Sequence, residues 1–457
     1  MNALIFTAIS GVLMMFCGLV TKKGSSTRIF ANLLLVLTII VTALELRGIT
    51  LFHIDLKGFL NFDHFSLLFT LIAAICTFLF FLLSGKDMET VGTNYSDFYA
   101  LIFFVLSGII ISVSFSSLLM LFLGIEIMSI PLYILTGSDK RNLKSNEASL
   151  KYFLMGSFST GLMLMGIALI YGAMGTFASS NILFVTEKTP VLFIAGMLML
   201  LFAMSFKVSA APFHFWAPDV YDGAPTPFTS FMATIVKAGA FVALMRLFLE
   251  AFADIRLEWK LVVAIIVAAT LFIGNITAVF QQSVKRMLAY SSIAQAGFMM
   301  LAVYTITAEA KEGLLLYAAA YSLATIGIFS VLNKMGDYTF DGFNGFARQQ
   351  PLVAGTMVIF LLSLAGIPLT GGFLAKFYML RATVDAGNLW LAIFAVLMAA
   401  VSVYYYFRLI QSMYFKEGNA VNVIEITTAY KSTLVVVAAL TIILGLFPNV
   451  ILYWLYF

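Results

Sequence analysis

The chain has 457 residues, 62% of them hydrophobic and only 11% charged, against about 25% charged in a soluble globular chain. That balance excludes a soluble domain and points to an all-α polytopic membrane protein, since only helices or closed barrels satisfy their backbone in lipid. The net charge of +4 calls for no nucleic-acid partner, because basic residues concentrate in loops on the cytoplasmic side of a membrane.

A spanning helix needs about twenty apolar residues, and on that measure the sequence predicts about fourteen transmembrane helices. The first covers 1–20 and is read as a retained helix, since it has neither a basic leader nor a small-residue cleavage site. The next two cover 29–49 and 64–84. The fourth and fifth, 98–114 and 115–136, are almost continuous and require a very tight turn. The sixth covers 147–173, and the seventh begins near Val191. The eighth to eleventh are expected at 228–250, 257–280, 284–306 and 313–334. The twelfth begins at Leu352, the thirteenth covers 389–415, and the last is expected at 432–455.

The seventh and twelfth spans are interrupted. KVSAAPFHFWAPDVYDGAPTP, from Lys207 to Pro227, holds too many prolines for one helix, and Gly366-Ile-Pro-Leu-Thr-Gly-Gly372 breaks the other. Irregular backbone at membrane depth survives only against protein or a water-filled cavity, and paired interruptions mark a transporter's site. The two breaks are five spans apart, so the second unit crosses in the opposite sense. This predicts an inverted five-helix repeat with two discontinuous helices. The expected divisions are three N-terminal helices in 1–97, a first repeat in 98–250, a second in 257–415, and a last helix in 431–457.

Loops after odd-numbered spans carry most of the Lys and Arg, including Lys22, Lys140, Lys285, Arg286 and Lys334; those after even-numbered spans carry fewer, among them Lys57 and Lys188. The odd loops are therefore expected in the cytoplasm and both termini outside.

Four ionisable residues fall near the middle of apolar runs: Glu126, Lys207, Lys237 and Lys376. Each costs roughly 2.5–3.5 kcal/mol at mid-helix on insertion scales. A lysine in low dielectric gives up its proton more readily than one in water, and a nearby carboxylate reverses that. Lysines in series, joined by water and polar side chains, would make a lateral proton relay, with His214 able to link Lys207 to the next station. The structural alternatives are an ion pair between Glu126 and Lys207 that only fixes helices, snorkelling of Lys237 or Lys376 to the interface, and a His214 that only fills space. Asp219 and Asp222 read as loop or capping residues. Lys151 and Arg246 read as interface anchors, Lys151 being also a relay candidate. Ser291, Ser292 and Gln295 share a helical face, as interhelical glue or as the lining of a water path.

The two cysteines, Cys17 and Cys76, sit in separate apolar runs, and there is no CxxC, P-loop or GxGxxG. With His53 and His64 in or beside a loop, neither iron–sulfur nor haem ligation by this chain is expected, nor any metal site.

FKVSAAPFHFWAPDVYDGAPTP, KRMLAYSSIAQAGF, LGIEIMSIPLYIL and GIPLTGGFLAKFYML resemble the antiporter-like subunits of respiratory complex I, nearest to the subunit N branch, which includes the mitochondrial subunit 2 and its plastid relatives. The likeness runs from about Leu119 to Tyr406. PDVYDGAPTP, a lysine at 376 where subunit M has glutamate, and an end soon after the last span favour that branch. The resemblance implies that Glu126, Lys207, Lys237 and Lys376 carry protons, driven by quinone reduction elsewhere. It implies that NADH, FMN, iron–sulfur clusters and quinone are bound by other subunits, with no cofactor in this chain. The implied partners are subunits M, K, J and A in a bacterial plasma membrane. Gln295 stands where many relatives have histidine. A Mrp-type Na+/H+ antiporter or membrane-bound hydrogenase subunit is the competing reading.

Overall fold

The computed structural model describes residues 1–456 apart from 22, 53, 55, 180–188, 419 and 421–425. His53 and the loop residues Lys22 and Lys188 thus lie outside the described residues.

Among these residues the chain is helical throughout, with isolated bridges in place of strands. Twelve helices are long and apolar enough to cross a membrane. In order, the first six are Asn2–Val20, Gly24–Leu46, His64–Val91, Tyr95–Val113, Leu118–Thr136 and Leu143–Met174. The other six are Thr226–Ala251, Arg256–Val279, Val284–Thr305, Ala308–Leu332, Leu389–Phe415 and Thr428–Leu446. Two more crossings are interrupted: the seventh as Val191–Lys207 and Trp216–Gly223, the twelfth as Pro351–Ala365 and Gly371–Asp385. This makes the expected fourteen.

Side-chain caps set several helix starts. Asp63, Asn142, Thr307 and Thr427 each accept a backbone N–H from the first turn of the third, sixth, eleventh and fourteenth spans. The last span is shorter than its apolar run. It ends at Leu446, and Pro448, which has no N–H to continue the ladder, opens a separate turn at Asn449–Leu452.

The fourth and fifth spans meet backbone to backbone. A Cβ on Gly108 would lie 2.5 Å from Met128 N, and one on Gly124 would lie 2.7 Å from Ser112 N. The tight turn between them is held by Arg246, which is buried rather than an interface anchor. Its guanidinium donates to the carbonyls of Val113 and Phe115 at 3.1 and 3.0 Å, and pairs with Asp63 at 3.2 Å and Glu250 at 2.9 Å. Carbonyls that a short inter-helix gap leaves without helical donors are satisfied this way.

The eighth, tenth and eleventh spans are buried nearly all round and form the centre of the bundle. Two lysines read from the sequence as loop charges are also buried. Lys334 pairs with Asp87 of the third span, with Tyr430 of the fourteenth 5.2 Å from its nitrogen to the ring centroid. Lys285 opens the tenth span, its nitrogen 5.5 Å from the Tyr338 ring centroid.

Candidate functional site

Glu126, Ser129 and Tyr133 lie at i, i+3 and i+7 on one face of the fifth span. Lys207 ends the first half of the seventh span and points at that face, donating to Ser129 Oγ at 2.8 Å and Tyr133 Oη at 3.4 Å. Glu126, half-buried, instead accepts from Thr160 Oγ1 of the sixth span at 2.8 Å. The two charges are thus joined through one helix face bearing hydroxyls and not by the direct ion pair that the sequence left open.

The break after Lys207 keeps its backbone satisfied. Ala211 N–H donates to Thr270 Oγ1 of the ninth span at 2.9 Å, and the Phe206 carbonyl accepts from Ser209 N–H at 3.0 Å and from Trp216 Nε1 at 2.9 Å. The Ala211–Pro212 peptide is cis. His214 is buried in this turn, its ring centroid 4.4 Å from that of Phe215. Among the described residues no hydrogen bond joins it to Lys207 or Lys237.

Lys237 is 1% exposed, so it does not snorkel. It follows a π-helical turn, Met232–Val236, within the eighth span. Such turns widen a helix by one residue and recur at functional sites. Its nitrogen donates to the Ser292 carbonyl at 3.1 Å and also to the Ser292 hydroxyl, and lies 5.6 Å from the Tyr221 ring centroid.

Lys376 is also buried. It reaches back across the second break and donates to the carbonyls of Leu364 and Ala365 at 2.7 and 3.1 Å. These are end carbonyls of the helix half Pro351–Ala365, where helical donors run out and the backbone dipole favours a cation. Gly366 closes that half at φ +87, and a Cβ there would sit 2.9 Å from Lys376 Cδ. A Cβ on Gly372 would come within 1.9 Å of Ser363 O, so the break demands glycine at that position.

The tenth span joins the last two lysines. Ser292 holds Lys237, and Gln295 Nε2 donates to Leu364 O at 2.9 Å, a carbonyl that Lys376 also uses. Gln295 Nε2 further donates to Tyr406 Oη at 3.0 Å, while Tyr317 donates to Gln295 Oε1 and Ser291 shares a hydrogen bond with Tyr406. The Ser291, Ser292 and Gln295 face is therefore a buried polar seam between Lys237 and Lys376. Gln295, Tyr317, Tyr321, Ser363 and Lys376 line a small cavity beside it. Tyr317, Tyr321 and Tyr406 were not singled out from the sequence; tyrosine in an apolar run reads as packing until its hydroxyl finds a buried partner.

Asp219 pairs with Lys151 at 3.0 Å and Arg286 at 3.1 Å at one end of the bundle, and Lys151 also meets Glu147 at 2.8 Å. Among the described residues no group of His, Cys, Asp and Glu is disposed to hold a metal ion.

A profile of the family described as NADH:quinone oxidoreductase/Mrp antiporter, transmembrane, matches residues 116–402, which include Glu126, Lys207, His214, Lys237 and Lys376. The NADH-quinone oxidoreductase subunit N of Cytophaga hutchinsonii is 42% identical over 402 residues, covering 86% of this chain and 87% of the relative. The subunit N of Trichlorobacter lovleyi is 41% identical over 400 residues, covering 85% and 82%. The chain belongs to the NADH-quinone oxidoreductase subunit N family. A chain of respiratory complex I from Thermus thermophilus, solved with bound aureothin, superposes with a TM-score of 0.85 at 31% identity, covering 99% of this chain and 98% of that one. Members of this family are antiporter-like membrane subunits, and this chain shares its fold with the Thermus thermophilus chain over nearly its whole length.

Proposed function

We propose that this chain translocates protons within an NADH:quinone oxidoreductase, through Glu126, Lys207, Lys237 and Lys376. The observation that carries this reading is the tenth span, whose Ser292 holds Lys237 while its Gln295 shares the Leu364 carbonyl with Lys376. Each ammonium sits on neutral oxygens, so each can lose a proton without breaking an ion pair. Glu126 and Lys207, linked along the fifth span, form the electrostatic end of the relay, where movement of one charge changes the proton's hold on the other. His214 lines the first break and joins the relay through water. NADH, FMN, iron–sulfur clusters and quinone are handled by partner subunits.

The division into two inverted five-helix units, 98–250 and 257–415, belongs to the same reading. Support comes from matching close crossings. The ninth and tenth spans meet at Gly274, where a Cβ would lie 2.5 Å from Ala294 N, as the fourth and fifth meet at Gly108. The partners on this reading are subunit M on one side and subunits K, J and A on the other, in a bacterial plasma membrane. Loops after odd-numbered spans face the cytoplasm, and both termini face outward. The Mrp-type antiporter reading is disfavoured by the subunit N relatives at 41–42% identity.

The test is NADH-driven proton uptake by everted membrane vesicles carrying the assembled complex, comparing wild type with Lys237→Met and Glu126→Ala. Loss of uptake with the complex intact supports the relay. Unchanged uptake makes the buried charges structural and overturns it.

A further inference from the structure

Lys285 is 3% exposed at the start of the tenth span. Its nitrogen donates to the carbonyl of Ala224 at 2.7 Å and that of Asp222 at 3.0 Å, at the C-terminal end of the helix half Trp216–Gly223. This repeats the setting of Lys376, an ammonium on the end carbonyls of a half-helix in an interrupted span. Lys334, the other buried lysine at this end of the bundle, is ion-paired with Asp87. Lys285 differs: among the described residues no carboxylate lies within ion-pair distance of its nitrogen, so it can be emptied without stranding a buried negative charge.

Its position is the second observation. Lys285 and Ser292 are seven residues apart on one helical face, about 10 Å along the axis, and Ser292 is the partner of Lys237. Tyr221, whose ring faces Lys237, stands one residue before Asp222, whose carbonyl holds Lys285. On the other side, Asp222 and Gly223 help line an open cavity with Lys144, Glu147, Asp219 and Arg286. Lys285 thus lies between a charged, water-open mouth and the first lysine on the tenth span's path.

Resting on the relay reading, we propose that Lys285 is a further proton-carrying residue, the intake station that passes protons from the mouth at Asp219 and Asp222 to Lys237. The Lys285 ammonium releases one proton through water to the neutral Lys237 amine, leaving a neutral Lys285 and a charged Lys237. Lys285 then regains a proton from water in the mouth, so the net step moves one proton from the mouth to Lys237, which must pass it on before the next.

The test uses everted vesicles with the whole complex and reads protons taken up per NADH oxidised. Lys285→Arg keeps charge and carbonyl donors but does not release its proton; Lys285→Gln keeps the donors without charge. Assembly is followed on native gels, and NADH oxidation with an artificial acceptor checks the redox arm. The expected result is an assembled complex with uptake per NADH lowered at least about tenfold, a conservative floor for a lost proton-transfer group. Wild-type uptake in either assembled variant overturns the inference, and so does failure of both to assemble, which makes Lys285 a folding clamp. Lys237→Met is run alongside. If it loses uptake while Lys285→Arg keeps it, the relay stands and the intake assignment falls. If Lys237→Met also keeps it, the relay itself has failed.

Discussion

Gln295 and Lys376 donate to the same oxygen, the carbonyl of Leu364, at 2.9 and 2.7 Å. The amide thereby fixes one end of the ammonium's cradle while Tyr317 and Tyr406 fix the amide. Gln295→Leu strips both tyrosine hydroxyls of that partner; Tyr406 keeps Ser291, while Tyr317 loses its acceptor, at roughly 1–3 kcal/mol for a buried group left unsatisfied. The expected outcome is an assembled complex whose NADH-driven uptake falls several-fold or more. Gln295→His, which keeps a donor and an acceptor, should retain most of it.

The second break tolerates no side chain at 372, where a Cβ would stand 1.9 Å from a backbone oxygen. Gly372→Ala should destabilise by the upper part of the roughly 1–3 kcal/mol typical of overpacking, or more. Native gels should show loss of the assembled complex. Gly161→Ala, where nothing lies within 4 Å, should accumulate normally.

Arg246→Met leaves the Val113 and Phe115 carbonyls and the Asp63 and Glu250 carboxylates without their shared donor. Removing one partner of a buried charge network typically costs about 3–5 kcal/mol. A lowered melting temperature of the purified complex is expected, together with reduced abundance in the membrane.

Asp87 and Lys334 allow a double-mutant test. Asp87→Leu strands the Lys334 ammonium and should destabilise by about 3–5 kcal/mol. Asp87→Leu with Lys334→Met removes both charges and should recover most of the loss in thermal melts. NADH-driven uptake by the double variant should stay near wild type, since neither residue belongs to the proposed relay.

The four mid-span charges could be read from the sequence because an ionisable group in an apolar run has few bland explanations. Their partners could not. Charge alone suggests that Glu126 and Lys207 bind each other, whereas the fold gives one a threonine and the other a serine and a tyrosine. The oxygens that hold Lys376 are backbone carbonyls freed by a break, which no side-chain pattern announces. Lys285 and Lys334 sit beside helix ends and look like loop charges; only the helices closing over them make them buried. The tight turn after the fourth span was evident from the near-continuous apolar run, but its guanidinium clamp comes from a residue more than a hundred positions away.

The π-helical turn Met232–Val236 contains neither glycine nor proline, so the local sequence gives no sign of it. Its consequence is one of phase. A π turn holds one residue more than an α turn, and each residue added to a helix swings the rest of that helix by about 100°. Deleting a single residue from that turn would leave the eighth span hydrophobic and membrane-spanning, yet rotate Lys237 away from Ser292. The compass bearing of this lysine, and with it its hold on Ser292, rests on one surplus residue upstream.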